Sequence, residues 1–350
     1  MKKLAKYIYT NSVGWTLVIC FGLVALTAVV ASTKISQPVS YKITNQVKVA
    51  GTQTVTEPTT RLIAVGDIML SRDVEQKMVR LNDWLYPFRG TYKITTLGDM
   101  VFGNLESPLI EGPAVATEGI VFRADPKTVA GLAYGGFNIL SLANNHIANQ
   151  GPDGIERTIH VLDEAGIAHM GAGLDLAQAQ QPAILEKNGL KFGFLAYTYN
   201  QSSGKSTAIS SLNTDQLVAD LRNLGTKADV MIVSLQAGTE YAEKPSQQQI
   251  NFTHLAIDNG AALVIGHHPH VVQPVEKYKD GYILYSLGNF IFDQMWSEET
   301  REGGIADITF TGNRITSLNI IPVKIFDFSQ PQLMDQEAGS KVITRMGFTF

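Results

Sequence analysis

A cluster of three histidines is the clearest candidate in this chain for metal or phosphate chemistry. The cluster is Gly266-His267-His268-Pro269-His270, and it holds three of the seven histidines among 350 residues. His268 and His270 stand two apart with a rigid proline between them, so both imidazoles can face one point. Neutral imidazole is the commonest protein ligand for divalent transition metals. The cluster therefore predicts a metal or phosphate site, with satisfied core histidines as the simpler alternative.

The segment before this cluster predicts how the histidines are positioned. Residues 261–265 have the sequence AALVI, a short apolar run that ends at a glycine. Such a run, with β-branched residues, is typical of a buried strand. In open α/β sheets, ligand sites lie beyond the carboxyl ends of the strands, which is where the histidines are expected.

Other apolar runs are also followed directly by polar side chains that can bind metals or substrates. The runs at residues 61–65, 100–102, 139–142 and 230–235 precede Asp67, Asn104 and Glu106, then Asn144, Asn145 and His146, then Gln236 and Glu240. Five strands would thus bring carboxylate, amide and imidazole groups to one edge of the sheet. Such ligands suit Mn, Fe or Zn, as one ion or as a two-metal hydrolytic centre. The expected ligands are Asp67, Glu106, Asn145, His268 and His270.

Each of these residues also has a structural explanation that needs no ligand. Asp67 could cap a following helix, and Asn144 and Asn145 could be turn residues that tolerate left-handed backbone. Glu106 could be a solvated loop acid, and His146 could make a structural hydrogen bond. The functional interpretation is favoured because all of these explanations would have to hold independently.

Strand and helix patterns alternate along the chain, which indicates an α/β architecture. Strands are predicted at residues 61–65, 100–102, 139–142, 192–196, 230–235, 263–265, 283–285, 305–310 and 315–321. Helices are predicted at residues 126–134, 154–165, 214–224 and 246–259. The last strands have no helices between them, so a mixed sheet or a second sheet is expected.

Charge is distributed unevenly between the N-terminal segment and the rest of the chain. Residues 1–56 contain six lysines and no acidic residue, which leaves 22 basic and 32 acidic side chains for residues 57–350. An acidic domain is a poor candidate for nucleic-acid binding, because binding to phosphates needs a basic surface. A cleft for a polyanion stays compatible with this charge, since a metal ion can supply local positive charge.

Residues 13–31 form an almost wholly apolar segment, long enough to cross a bilayer as a helix. Lysines precede it, so residues 1–12 are expected in the cytoplasm and the bulk of the protein outside, anchored once in the cell membrane. A cleaved signal peptide is the alternative. Cys20, the only cysteine, lies inside this segment, so the exported part has neither disulfide nor thiolate chemistry.

The rest of the chain divides into three predicted parts. Residues 32–60 are rich in Ser, Thr, Gln, Val and Lys and are predicted to form a flexible stalk. Residues 61–325 contain the predicted strands and helices of the folded domain. Residues 326–350 have a polar, irregular pattern and are predicted to be a C-terminal surface extension.

Six sequence segments occur in an order that characterises one protein family. They are AVGDIML, FGNLESPL, SLANNHIANQG, AGTEY, VIGHHPHVVQPVE and LYSLGNFIFDQ, between about residues 62 and 322. With these segments the chain resembles the CapA family of poly-γ-glutamate capsule synthesis proteins, related in fold to calcineurin-like metallophosphoesterases. The resemblance implies a four-layer α/β/β/α sandwich, here preceded by the predicted transmembrane helix. It also implies an extracytoplasmic role in synthesis, export or attachment of poly-γ-glutamate or a related envelope polymer.

The resemblance assigns roles to particular residues. It implies metal ligation by Asp67, Glu106, Asn145, His268 and His270, and a role for His146 as general acid or transition-state donor. Residues expected to contact substrate or position the ligands are Asn104, Gln236, Glu240, His267 and Asn289. Asn289 could instead belong to a plain turn.

Three positions depart from the patterns that the resemblance implies. Met69 stands where metallophosphoesterases usually have a histidine, as hydrophobic residues do in CapA proteins. Gln236 replaces a usual histidine, and Asn149 replaces a usual aspartate that could orient a histidine. Glutamine is a weak neutral ligand, so a single metal ion or an inactive binding site is an open alternative to a two-metal centre.

Two functions are open from the sequence. The first is a metal-dependent hydrolase or transferase acting on an extracellular phosphate ester, amide or γ-glutamyl polymer. The second is a non-catalytic, membrane-tethered component that binds an anionic polymer such as poly-γ-glutamate, alongside membrane-bound synthesis or export proteins. Gln236 favours the second function, and the retained ligands favour the first. No Gly-x-x-x-x-Gly-Lys-[Ser/Thr] phosphate loop occurs, so polymer synthesis itself is not expected here.

Overall fold

The computed structural model describes residues 41–44, 57–113, 119–199 and 208–348. The predicted cytoplasmic segment at residues 1–12 and the predicted anchor at residues 13–31 lie outside these ranges. Across the described part of the chain, no helix combines the length and the apolar character needed to cross a bilayer.

Strands and helices alternate through much of the described chain, as the sequence pattern predicts. The strands are β1 (Tyr41–Thr44), β2 (Thr59–Ile68), β3 (Met100–Leu105), β4 (Ile139–Ser141), β5 (Ala168–Met170), β6 (Ala172–Gly173), β7 (Ala183–Lys187), β8 (Leu190–Thr198), β9 (Ala208–Ile209), β10 (Val230–Gln236), β11 (Leu263–His267), β12 (Val275–Tyr278), β13 (Gly281–Leu284), β14 (Asn289–Ile291), β15 (Glu302–Thr311), β16 (Arg314–Phe326) and β17 (Gln330–Leu333). The helices are α1 (Arg72–Leu81), α2 (Tyr92–Thr95), α3 (Val129–Tyr134), α4 (Gly151–Glu164), α5 (Leu176–Ala179), α6 (Thr214–Leu224), α7 (Gln247–Asp258), α8 (Glu298–Arg301) and α9 (Gln336–Arg345), with short 3-10 helices at Tyr86–Phe88 and Pro126–Thr128.

The described strands form two large sheets and a small one. The first sheet has the order β1-β16-β15-β2-β3-β4-β5, with β14 paired to β2 and β17 paired to β16. Its strands β2 to β5 are parallel, whereas β15 and β16 are antiparallel. The second sheet has the order β12-β13-β11-β10-β8-β7 and is parallel from β8 to β13. In each sheet, the carboxyl ends of the parallel strands therefore lie together at one edge.

The two large sheets pack face to face through aromatic side chains. The ring of Phe102 on β3 stacks on that of Phe194 on β8, with centroids 6.2 Å apart. Phe192 on β8 meets Phe310 on β15 edge to face, with centroids 5.2 Å apart. Side chains alternate along a strand, so Leu195 of β8 faces the other side and packs with α6 and α7. Helices α1, α3, α4 and α9 contribute Val74, Leu132, Ile155 and Val342 to the same core as the first sheet.

The predicted mixed α/β fold is confirmed. Each of the predicted strands overlaps an observed strand, and each predicted helix overlaps an observed helix. The sequence pattern missed α1, in which Val74 and Met78 form a narrow buried face on an otherwise polar helix. The helix predicted at residues 246–259 coincides with α7, which the structure shows to begin with a capping box between Ser246 and Gln249.

Two segments differ from their sequence-based predictions. The predicted surface extension at residues 326–350 is not irregular, because its described part contains β17 and α9. In α9 and just beyond it, Val342, Ile343 and Met346 are buried with the spacing of one helix face, although the surrounding residues are polar. Part of the predicted stalk at residues 32–60 is also ordered, since β1 pairs antiparallel with β16 and β2 begins at Thr59.

Candidate functional site

The polar residues that follow the predicted strands meet at one rim of the molecule, but they come from two sheets. Asp67 is the last residue but one of β2, Glu106 follows β3, and Asn145 follows β4, all in the first sheet. Gln236 ends β10 and His268 follows β11, both in the second sheet. The expectation of one sheet edge is corrected accordingly: the carboxyl ends of two stacked sheets meet here.

Asp67 lies at the centre of this rim and is completely buried. Asn104 Nδ2 donates to its Oδ1 at 2.8 Å, and the backbone N–H of His268 donates to its Oδ2 at 3.3 Å. His270 Nδ1 is 3.2 Å from the same Oδ2. Burial would raise the pKa of Asp67, but the neighbouring His267 and His270 hold it below its ordinary value. Helix α1 has Ser71 at its N-cap, so the helix-cap explanation for Asp67 is wrong.

Glu106 is a buried carboxylate with no partner. It has no solvent exposure, and neither carboxylate oxygen accepts a hydrogen bond from any described residue. Burial, followed by the charge of Asp67, raises the pKa of Glu106 well above its ordinary value. A carboxylate charge buried without a hydrogen bond costs several kcal/mol (order of magnitude), which a bound cation would offset. The explanation as a solvated loop acid is therefore wrong.

His270 is oriented by a hydrogen bond at Nδ1, which leaves Nε2 as the nitrogen that can bind a metal ion. Asn289 Nδ2 donates to Gln294 Oε1 and to the Thr300 carbonyl, which leaves Asn289 Oδ1 facing His270 Nδ1 at 3.0 Å. Nδ1 thus carries a hydrogen, and Nε2 is the nitrogen left for a metal ion, as in many metal-binding histidines. Burial would lower the pKa of His270, but the charges of Glu106 and Asp67 raise it to about 9, so an ion would bind Nε2 by displacing its proton.

The backbone of the histidine cluster is strained. His268 has φ 97° and His270 has φ 58°, both in the left-handed region that non-glycine residues rarely adopt. Such strain costs about 1–3 kcal/mol per residue and is found at ligand sites. Neither Asn144 nor Asn145 has a positive φ, so the left-handed turn predicted as their alternative is wrong.

Three of the predicted ligands lie close enough to bind one ion. Ligand atoms of Glu106, His268 and His270 are within 4.8 Å of one another, and all three residues are buried. One carboxylate and two imidazoles suit Zn, Mn or Fe. Because the Glu106 oxygens lack any other described partner, these residues fit a divalent metal.

Asn145 and Gln236 are bound to each other. Gln236 Nε2 donates to Asn145 Oδ1 at 2.6 Å and lies 3.0 Å from His268 Nδ1. The structure thus brings Asn145 beside the histidine cluster, with its oxygen already engaged by the Gln236 amide. Its role as a metal ligand stays a prediction.

His146 faces the same rim from the loop after β4. Its ring stacks on Phe122 with centroids 3.9 Å apart, and its Nδ1 is 2.9 Å from Asn149 Oδ1. Asn149 therefore still orients the histidine, without the charge of an aspartate. Burial lowers the pKa of His146 to about 4, so the ring is neutral near pH 7. The structural hydrogen bond is compatible with this position, whereas the predicted role as proton donor requires that Nε2 first accept a proton.

The other predicted site residues have different surroundings. Asn104 links Asp67 to Asn144, because its Oδ1 accepts a hydrogen bond from Asn144 Nδ2 at 3.1 Å. His267 is buried against Phe102, and its Nδ1 lies 3.3 Å from Asp67 Oδ1. Glu240 is exposed on the loop after β10.

The sequence analysis missed Arg72, Phe122 and Asp293, which together support the His146 ring. The guanidinium of Arg72 lies 4.7 Å from the Phe122 ring centroid and forms an ion pair with Asp293. Phe122 in turn stacks on His146. Asp293 lies in the LGNFIFD segment, which was the one available indication. Asn144 also has a structural role that the sequence did not indicate, because its Oδ1 accepts hydrogen bonds from the backbone N–H groups of His146 and Ile147.

The mixed α/β fold and the buried His/Glu cluster define a protein that resembles metallophosphoesterases. A phosphatase from Mycoplasma pneumoniae superposes with a TM-score of 0.52 over 83% of this chain and 99% of its own, at 14% identity. The calcineurin-like phosphoesterase YfkN from Bacillus subtilis aligns over 83% of this chain with a TM-score of 0.42.

Within that fold, the chain belongs to the bacterial capsule synthesis protein family PGA_cap, whose profile matches residues 61–294. It is 32% identical over 274 residues to the capsule biosynthesis protein CapA of Bacillus anthracis, covering 75% of this chain and 66% of that protein. It is 30% identical over 291 residues to the PGA biosynthesis protein CapA of Bacillus subtilis, covering 80% of this chain and 76% of that protein. The chain thus spans just under two thirds of the B. anthracis protein's length. The resemblance found from the six sequence segments is confirmed.

Proposed function

We propose that this chain acts on an anionic envelope polymer such as poly-γ-glutamate, as a metal-dependent hydrolase or transferase during its synthesis, export or attachment. The observation that carries the proposal is the buried, unpartnered carboxylate of Glu106 beside His268 and His270. The names of the CapA relatives support the polymer, and the phosphatase-like fold supports the reaction class. We further assign the fold to the four-layer α/β/β/α sandwich, because helices pack with both large sheets.

In such a site, different residues would hold the ion, orient a ligand and transfer a proton. Glu106 and His270 would hold the ion, and Asn289 fixes the His270 ring so that Nε2 faces inward. A divalent ion bound here would polarise a substrate oxygen and supply local positive charge in this net-acidic domain. His146, oriented by Asn149 and stacked on Phe122, would accept a proton from the attacking nucleophile at Nε2 and pass that proton to the leaving group.

The location follows from the sequence outside the described residues. The apolar segment at residues 13–31, preceded by lysines, would anchor the chain once in the cell membrane with the folded domain outside. That placement would bring the site next to an exported polymer and to membrane-bound synthesis or export proteins. It leaves no role for nucleic acid, which the acidic surface disfavours.

The experiment starts from the full chain, purified in detergent without chelator or affinity metal. Metal content is measured by plasma mass spectrometry, and hydrolysis is measured on bis(p-nitrophenyl) phosphate and on poly-γ-glutamate of defined length. We expect bound Mn, Fe or Zn and chelator-sensitive cleavage, both lost in a His268→Ala/His270→Ala double variant. A His160→Ala/His254→Ala double variant removes two histidines outside the site and should keep both properties.

A second candidate function is polymer binding without catalysis. The observation that favours it is the Gln236 amide, which engages Asn145 and His268 as a metal ion would. Poly-γ-glutamate binding that is tight and unchanged by chelator, with no metal after reconstitution and no cleavage, would replace the hydrolase proposal with this one.

A further inference from the structure

The Gln236 side chain fills the space between two predicted ligands, Asn145 and His268. It extends from the last residue of β10 and is 1% exposed. Its Nε2 is 2.6 Å from Asn145 Oδ1 and 3.0 Å from His268 Nδ1, and its Oε1 accepts a hydrogen bond from the Thr198 hydroxyl. Both N–H groups and the carbonyl oxygen of this amide are therefore satisfied.

The two atoms that face the amide nitrogen are both lone-pair donors. Asn145 Oδ1 is a carbonyl oxygen and His268 Nδ1 is an imidazole nitrogen, and either kind of atom binds divalent cations. An amide nitrogen has two hydrogens to give and no lone pair to share, so both atoms accept from it. The Gln236 nitrogen thus stands where a cation binding the same two atoms would stand, with a partial instead of a full positive charge.

This contact also determines which form of the His268 ring is present. A neutral imidazole that accepts a hydrogen bond at Nδ1 carries its own hydrogen on Nε2. Neither ring nitrogen then offers a free lone pair. While Gln236 holds it, His268 is withheld from an ion, although it lies within 4.8 Å of the ligand atoms of Glu106 and His270.

The opposite side of the rim has no such amide. The Glu106 oxygens have no hydrogen-bond partner in the described chain, and His270 has its Nδ1 bound to Asn289 with Nε2 free. We infer that the site takes one divalent ion, at Glu106 and His270, because the Gln236 amide replaces a second ion between Asn145 and His268. The inference rests on the proposed metal-dependent function and specifies how many ions that function uses.

The test counts ions in variants of residue 236. The full chain in detergent is equilibrated with Mn²⁺, bound metal per chain is measured by plasma mass spectrometry, and electron paramagnetic resonance detects coupled Mn²⁺ pairs. Gln236→His supplies a ligand, and Gln236→Glu keeps the size of the side chain while replacing the N–H donors with a carboxylate. Gln247→His adds a histidine at an exposed position of α7 and is the matched control. Circular dichroism checks that each variant is folded.

We expect one Mn²⁺ per chain in the unaltered protein and in Gln247→His, and two per chain, with a coupled signal, in Gln236→His or Gln236→Glu. Two ions in the unaltered protein would overturn the inference, because the Gln236 amide would then not exclude a second ion. One ion in both folded residue-236 variants would overturn it too, since Gln236 would not be what excludes the second ion. If neither the unaltered protein nor any variant bound an ion, the proposed metal-dependent function itself would be contradicted.

Discussion

Glu106 and Gln236 occupy comparable places in the two sheets and have opposite surroundings. Each is buried at the carboxyl end of a central parallel strand, β3 in the first sheet and β10 in the second. The Glu106 carboxylate has no hydrogen-bond partner in the described structure, whereas the Gln236 amide has a partner for each of its polar groups. A buried carboxylate without a hydrogen-bond partner is suited to bind a cation, whereas a fully hydrogen-bonded amide leaves no such position. The half of the rim at Glu106 thus keeps a position for a metal ion, whereas in the other half the Gln236 amide occupies that position.

The largest effect is expected from Glu106→Gln. The change keeps the size of the side chain and removes the charge, so Mn²⁺ affinity should fall at least about 100-fold, because the anionic ligand is lost. In chelator, the same variant should be more stable than the unaltered protein by about 1–3 kcal/mol, since an unpartnered buried carboxylate has been removed. Isothermal titration calorimetry gives the affinity, and thermal unfolding in EDTA gives the stability.

Glu75→Gln is the matched control for that prediction. Glu75 is also buried, but Arg123 Nη2 lies 3.3 Å from its Oε1. Removing one partner of a buried pair leaves the other uncompensated, so this variant should lose about 3–5 kcal/mol and keep its Mn²⁺ affinity. If Glu106→Gln also destabilised the metal-free protein, Glu106 would have a structural partner and the comparison would fail.

An intermediate effect is expected from Asn289→Ala, which removes one of the two oxygens that face His270 Nδ1, the other being Asp67 Oδ2. Loss of a hydrogen bond that orients a metal-binding histidine lowers metal affinity by about 10–100-fold. Titration with Mn²⁺ measures this directly. Asn138→Ala is the control, since Asn138 makes a comparable bond to the Val101 N–H at the amino end of β4. It should lose stability and leave metal affinity unchanged; an equal loss in both variants would show that Asn289 acts through stability alone.

The sequence predicted the strands and the polar groups at their ends because both depend on local pattern. Runs such as residues 261–265 are apolar and short, and Asp67, Glu106 and His268 stand at the carboxyl ends of their strands. What the pattern does not contain is which strands share a sheet. The meeting of β3 and β10 depends on packing between distant segments, for example of Phe102 on Phe194.

The same limit explains the errors within the site. The departure at Gln236 was visible in the sequence, but its contact with Asn145 and His268 joins residues far apart in the chain. Residue preference offered left-handed backbone as the alternative explanation for Asn144 and Asn145, whereas it occurs at His268 and His270. There, the surrounding structure overrides the preference of the residue type.

The smallest effect is expected at Asn149, the third amide side chain in this rim that contacts an imidazole. Its Oδ1 is 2.9 Å from His146 Nδ1, and burial lowers the pKa of His146 to about 4. In Asn149→Asp, a carboxylate would favour the charged ring and raise the pKa of His146 by at least about 1 unit. Histidine titration by NMR in metal-free protein measures the shift.

A stability consequence gives a second readout for this variant. Because the pKa of His146 is about 4 when folded, below its ordinary value of 6.5, its contribution to stability is present above pH 6.5 and is lost as the pH falls toward 4. Asn149→Asp should make that loss smaller, by about 1.4 kcal/mol for each unit that the pKa rises. An unchanged pH profile, with the protein folded, would mean that Asn149 does not control the protonation of His146. The amide at position 149 would then differ from the amide at position 236, which holds the ring state of His268 by direct donation.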